Sequence, residues 1–538
     1  MSADRRGTGR GHGGGDSRPD NSGTRGGDQD RRRDASRNSK GRQRSAARTR
    51  GETHRSAQAP GERRRRTDPA RTAAYDVLRQ VDGSDAYANL VLPPLLRERR
   101  IAGRDAAFAT ELAYGTLRLR GRYDAILARC VTRPLDQLDP EVLDVLRLGA
   151  HQLLGMRVPS HAAVSETVAL ARDRVGAGPA QMVNAVLRAV GRTPLEDWLA
   201  RLAEEAPDAV TGLATVGSHP VWIARALRES LAGHGRSPDE IADLLDADNA
   251  APRVTLVARP GLAGSDILRE QAHDADVRLD AGRWAPTALV LAGGSDPAAL
   301  PAVADARAGV QDEGSQLVTL ALAGAPLDDG PDARWLDLCA GPGGKAALLA
   351  ALAGERGATL VANEVQPHRA RLVERALRAV PGDVVERVRT GDGREVGTEE
   401  PAAYDRVLVD APCTGLGALR RRPESRWRRT PADLGTLTVL QRELLASALD
   451  AVRPGGVVAY VTCSPHLAET RLVVDDVLRR RDDAERIDAR SAVRDALVPG
   501  ADIDLGADDG GAHGLDVQLW PHVHGTDAMH LTLLRRVA

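Results

Sequence analysis

Two cysteines in this chain of 538 residues stand where a nucleophile would be placed. Cys413 ends the turn Asp410-Ala411-Pro412-Cys413, directly behind the apolar run 407–409, and Cys463 lies between Tyr460-Val461-Thr462 and Ser464-Pro465. Each reads as a thiol delivered by the carboxyl end of a buried strand. A thiolate can add to carbon 6 of a pyrimidine and push electron density onto carbon 5, an otherwise poor nucleophile, so that carbon 5 can accept a methyl group. The addition builds charge on the ring, which a carboxyl group at N3 or at the exocyclic amine stabilises. Afterwards the carbon 5 proton leaves and the thiol is expelled. Cys463, Cys413 and Asp410 are of the types these steps need and are the candidate catalytic residues. A third cysteine, Cys339, is read as a small buried hydrophobe within a ligand loop.

That loop lies in the stretch 335–350, WLDLCAGPGGKAALLA, which reads as a short buried strand, a turn of glycine and proline, and a helix of Ala and Leu. Gly341, Gly343 and Gly344 leave room for a ligand to approach the backbone, and the N–H groups of the helix start face it. A carboxylate or phosphate is the expected guest, although the three-glycine dinucleotide spacing and the full phosphate-loop pattern are both absent. Lys345 is one of only two lysines, with Lys40, among 74 basic residues, so a compact ammonium is wanted where the chain otherwise writes Arg. The next strand, 359–363, ends on Glu364, an acid able to accept both ribose hydroxyls of an adenosine. RTGDGR places Asp392 at a third strand end, and GGVVAYVTCSP supplies a fifth strand. Strands alternating with helices from residue 334 onward predict a Rossmann-like α/β domain over 306–538, its strand ends converging on one crevice. No metal is expected.

Other elements must carry this domain. Residues 1–66 hold 19 basic against 8 acidic residues, and the remainder 55 against 67. The basic Arg/Gly-rich segment has too few aliphatic residues to offset its chain entropy and reads as disordered, either a tether to RNA phosphates or a solvated extension. From 67 to 205 apolar periods of helical spacing, broken at Pro134, Pro140, Pro159 and Pro179, predict an all-helical domain. Arg118, Arg120 and Arg122 there could form an RNA face or a solvated one. Residues 206–305 mix helical and alternating patterns and read as a small α/β linking module, with Trp222 either stacking on a base or lying in the core. Behind the catalytic turn, Arg420, Arg421, Arg422, Arg426 and Trp427 interleave charge with an aromatic ring and are read as RNA contacts. The target base must be unstacked to meet Cys463. Four cysteines without a CxxC pair suit a reducing cytoplasm, and no apolar run reaches membrane-spanning length.

LDLCAGPGGK, VDAPCTGLGALRRRPESRW and YVTCSPHLAET resemble the signature stretches of the RNA cytosine-5 methyltransferases of the NOL1/NOP2/Sun family. RDAAFATELAYGTLR, LDPEVLDVLRLGAHQLLGM, VPSHAAVSETVALAR and MVNAVLRAVGR resemble the RNA-binding domain of the NusB antitermination factor. The resemblance spans essentially all residues after 66, and the combination is that of bacterial enzymes acting on 16S ribosomal RNA. It implies S-adenosylmethionine (SAM) lying against Cys339, Ala340, Gly341, Pro342, Gly343, Gly344 and Lys345, with acids at Glu364, Asp392 and Asp410. It also implies Cys463 as the nucleophile and Cys413 as the residue that assists release. Two positions depart from the family pattern: Gly341 where a second alanine is usual, and Glu364 where Asp is frequent. The first removes a methyl group and the second lengthens an arm, so SAM binding is expected to persist. The implied protein is a cytoplasmic monomer whose partner is RNA. Alternatives are a transfer RNA target, an amino-methylating enzyme and a NusB-like RNA-binding factor with an inactive methyltransferase domain. DAPC speaks against the second, and intact Lys345, Asp410, Cys413 and Cys463 against the third.

Overall fold

The computed structural model describes residues 67–84, 86–293, 296–507 and 510–537, so the basic segment 1–66, read above as disordered, lies outside the described residues. The first described elements are helices α1 (Pro69–Ser84), α2 (Ala88–Glu98), α3 (Gly103–Arg118), α4 (Arg120–Ala128), α5 (Pro140–Leu154), α6 (Ser160–Arg174) and α7 (Ala177–Val190). Asp68 starts α1 by accepting the Arg71 N–H at 2.8 Å, and Asp139 starts α5 by accepting that of Glu141 at 3.0 Å, each followed by a proline suited to the first turn. The apolar stripes of these helices meet in one core containing Leu78, Leu112, Ile126, Leu146, Leu148 and Leu187.

After α8 (Leu195–Glu204), helices continue beyond 205 as α9 (Ala209–Val216), α10 (Val221–Gly233) and α11 (Ile241–Asn249). The small sheet begins only at β1 (Thr255–Ala258), followed by α12 (Ser265–Asp274), β2 (Leu279–Ala281), β3 (Ala288–Leu291) and β4 (Ala308–Val310). Its strands lie in the order β2-β3-β1-β4, all antiparallel. Since β4 pairs with β1 through Val257 and Gly309, this sheet extends past the 305 boundary drawn from sequence. A strand of three residues is too short to show a period of two.

The large sheet contains β5 (Arg334–Asp337), β6 (Thr359–Glu364), β7 (Val385–Thr390), β8 (Tyr404–Asp410), β9 (Val452–Thr462), β10 (Ala484–Ile487), β11 (Val517–Gln518) and β12 (His530–Arg536). Its order is β10-β12-β9-β8-β5-β6-β7, with β11 beside β12. Pairs from β5 to β9 are parallel, whereas β12 joins β9, and β10 joins β12, antiparallel. Successive strand residues point to opposite faces: Trp335, Leu408 and Ala459 pack with α13 (Glu313–Gly324), α14 (Gly344–Glu355) and α15 (Pro367–Leu377). Leu336, Val407, Val409 and Tyr460 pack instead with α16 (Pro431–Ala451) and α17 (Arg471–Leu478). Between β5 and β8 the winding reverses, the place where a parallel sheet opens a crevice beyond its carboxyl ends. Among the described residues no helix is long and apolar enough to cross a membrane.

Candidate active site

The loop from β5 to α14 forms one wall of the crevice. Gly343, at φ 107°, is the N-cap of α14, and a Cβ built there would lie 2.6 Å from the Cβ of Ala376. Both the dihedral and the close approach of α15 demand glycine. A Cβ built on Gly344 meets nothing within 4 Å, so the helix start is open on that side. The N–H of Gly341 donates to Glu364 Oε2 at 3.1 Å, and a Cβ on Gly341 would fall 2.1 Å from that same oxygen. The two departures from the family pattern are therefore one feature, because the missing methyl group makes room for the longer acid. Glu364 Oε1 also accepts the N–H of Gln366 at 2.9 Å, and Arg369 lies 3.5 Å away.

Asp392 follows β7 and caps its own turn, accepting from the backbone N–H of Arg394 at 3.0 Å and pairing with that side chain at 2.6 Å. Asp337, which the sequence reading did not single out, ends β5 fully buried beside the loop. Its Oδ1 accepts the N–H of Cys339 at 3.3 Å, and its Oδ2 has no hydrogen-bond partner. Burial, and next the charge of Asp410, push the Asp337 carboxyl up to about 8. Cys339 packs against the core on the α16 face, and burial drives its thiol well above the usual range, in keeping with an inert role.

Lys345 reaches across the crevice floor to Asp410 Oδ2 at 2.9 Å. Burial works against its ammonium charge, but the Asp410 carboxylate outweighs it and the lysine is held above its ordinary value. The sequence reading gave this ammonium to a ligand; the fold gives it a partner within the chain, which steers the carboxylate of Asp410. Ahead of that pair, Cys413 Sγ and Cys463 Sγ stand 3.5 Å apart. The hydrogen bond from Cys413 lowers Cys463 below the ordinary thiol range, assisted by Lys345 and Arg422 and opposed by burial and Asp410. The same bond raises Cys413 well above it, together with burial and the neighbouring acids. The two thiols are thus coupled, each setting how readily the other gives up its proton. Two buried residues that the sequence reading passed over, Gln441 and Glu469, hold the turn carrying Cys413.

Part of the run behind the turn, read above as RNA contacts, is turned inward instead. Arg426 is fully buried and donates to the carbonyls of Arg118 (2.9 Å), Ser218 (3.2 Å) and Asp248 (2.8 Å) and to Asn249 Oδ1 (2.8 Å). Trp427 lies so close to Gly121 that a Cβ there would meet its ring at 2.4 Å. Glu424 accepts the N–H of Ala88 at 3.0 Å, and Arg428 donates to the carbonyls of Val81 and Ala86. Residues 424–428 therefore fasten the catalytic domain to the helical one. Arg420 pairs with Asp312 and Asp527, and Arg421 with Asp527, whereas Arg422 is exposed and stacks on Tyr87 at 5.1 Å. Arginine interleaved with an aromatic serves an interdomain joint as readily as nucleic acid, and only burial separates the two uses. The same holds for Arg118, which is buried, Arg122, which donates to the carbonyl of Val216 at 2.6 Å, and Arg120, which pairs with Asp82 at 2.9 Å. Trp222 packs into a core with Leu416, Leu419 and Trp520.

Residues 325–535 match the model of the 16S rRNA methyltransferase RsmB/F family, and residues 68–192 match that of the NusB family. The chain is 50% identical over 479 residues to Rv1407 of Mycobacterium tuberculosis strain H37Rv, named as a methyltransferase, covering 89% of this chain and 98% of that protein. It is 31% identical over 424 residues to the ribosomal RNA small subunit methyltransferase B of Pseudomonas syringae pv. tomato, covering 78% and 88%. In fold it is similar to the crystal structure of PH0851, with a TM-score of 0.70 at 20% identity, covering 87% of this chain and 99% of that one. With both family models matched in chain order and relatives covered almost end to end, the chain belongs to the 16S rRNA methyltransferase RsmB/F family.

Proposed function

We propose that the protein methylates carbon 5 of a cytosine in 16S ribosomal RNA, in the cytoplasm, through a covalent bond from Cys463 to carbon 6. The observation that carries this reading is the pair of thiols 3.5 Å apart beside the Lys345–Asp410 pair. The family uses S-adenosylmethionine, and the crevice fits it. The start of α14 has no side-chain cap, space is open at Gly344, and Glu364 and Asp392 stand at neighbouring strand ends as acceptors for ribose hydroxyls. When bound, that cofactor supplies the methyl group.

The thiolate of Cys463 attacks carbon 6, and the negative charge that grows at N3 is neutralised by a proton that Asp410 relays from the Lys345 ammonium. Once the sulfur of Cys463 is bonded to carbon, it no longer carries the charge that keeps Cys413 protonated. Cys413 is then free to lose its proton to solvent and, as a thiolate, take the carbon 5 proton. The electron pair of that C–H bond re-forms the ring double bond and expels Cys463 as a thiolate. The coupling between the thiols thus makes them act in order.

A denaturing gel with labelled RNA and S-adenosylmethionine tests the assignment. Cys413→Ala should give a shifted, cofactor-dependent band and Cys463→Ala none; the reverse pattern would exchange the roles, and no band in either would remove the covalent step. For the target, a deletion strain should lose one 5-methylcytosine in 16S ribosomal RNA, restored by the wild-type chain and not by Cys463→Ala. Loss from transfer RNA instead would overturn that part of the reading.

A further inference from the structure

We propose that Glu469 is the positioning residue that sets the distance between Cys413 and Cys463. It rests on the covalent reading above only for its consequence in catalysis. Glu469 closes a short 3-10 turn, Leu467–Glu469, behind the Cys463 loop, and it has no solvent exposure. It is held by hydrogen bonds, as a buried carboxyl group requires. Those bonds converge on the residues flanking Cys413. Its Oε1 accepts the N–H of Thr414 at 2.7 Å and its Oε2 the hydroxyl of Thr414 at 2.5 Å, next to Cys413. Gln441 Nε2 donates to Oε1 at 3.2 Å and to the carbonyl of Pro412 at 2.8 Å, on the other side of Cys413.

The Cys463 loop is tied to the same centre. Thr414 Oγ1 lies 3.2 Å from Ser464 Oγ, and the carbonyl of Glu469 accepts the hydroxyl of Tyr460 on β9 at 2.8 Å. The carboxyl group therefore grips the turn after β8, and Thr414 relays that grip to Ser464, beside Cys463 at the end of β9. Its charge also contributes to holding Cys413 protonated. Glu469 is buried and acts through Thr414, so it positions rather than reacts.

The test reads the thiol spacing without RNA. The reduced full-length chain is treated with diamide, a diazene that oxidises two thiols to a disulfide and is itself reduced to the hydrazine. Formation of the Cys413–Cys463 disulfide is followed by mass spectrometry. Glu469→Gln, which keeps an acceptor for the Thr414 N–H and a donor for its hydroxyl oxygen, should stay within about threefold of wild type, while Glu469→Ala should slow by about tenfold or more. Equal rates for Glu469→Ala and wild type would overturn the proposal. If Glu469→Ala does not fold, Thr414→Val, lacking only the hydroxyl link, should slow by about threefold, and an unchanged rate would overturn it equally. With labelled RNA and S-adenosylmethionine, Glu469→Ala should accumulate the same adduct as Cys413→Ala. A slowed disulfide with no adduct in either variant would support the positioning role while removing the covalent reading.

Discussion

Between β8 and α16 the chain builds two charged structures a few residues apart, and they are satisfied in opposite ways. At the rim, Lys345 and Asp410 hold one another by a single 2.9 Å bond, Asp337 keeps an oxygen without a partner, and two thiols share one hydrogen. At the joint, Arg426 spreads four bonds over acceptors from two other parts of the fold, and burial lowers its guanidinium to about 10. A group that must change protonation or partner during turnover is left part-satisfied, and a group that must stay is tied on all sides. The contrast also explains why the arginine run misleads as sequence: its residues are chosen for reach and number of donors, which RNA and buried carbonyls both reward.

The sharpest way to break the contrast is Arg426→Ala. It leaves buried carbonyls without their donor and the buried Asp248 without its neighbouring positive charge, so the chain should lose about 3–5 kcal/mol in denaturant unfolding. Calorimetry on the folded variant should find S-adenosylmethionine affinity unchanged. Lys345→Ala is the converse: methylation should fall by about a hundredfold, as Asp410 loses its guide, with little change in melting temperature because Asp410 can hydrate. A comparable loss of stability in this variant would erase the distinction between the two regions.

Gly343→Val tests the loop wall: the left-handed dihedral and the 2.6 Å approach of Ala376 should weaken S-adenosylmethionine binding by about tenfold in a titration. The smallest effect concerns pH. The hydrogen bond from Cys413 lowers Cys463, so in the wild type the thiolate is present at a lower pH than an ordinary thiol allows. Removing that donor in Cys413→Ala raises Cys463, and the rate of adduct formation should begin its rise at higher pH than in wild type. An identical pH profile would show that the two thiols are not coupled.

Much of this site was legible in the residues themselves. Buried strands of the large sheet, the glycine turn and the start of α14 are local patterns, and a residue placed just past a buried strand is thereby placed at the rim. That is why Cys413, Cys463, Asp410, Glu364 and Lys345 could be named from sequence, and why residues 206–305, where helical and alternating patterns mix, read as one small α/β linking module. What the tertiary structure alone decided is partnership: Lys345 with Asp410, Gly341 with Glu364, Glu469 with both thiol-bearing loops, Arg426 with carbonyls up to 308 residues away. Periodicity reports which face of an element a residue occupies. Strand order and the packing of domains determine what that face meets, and nothing in a local pattern carries that information across so long a stretch of chain.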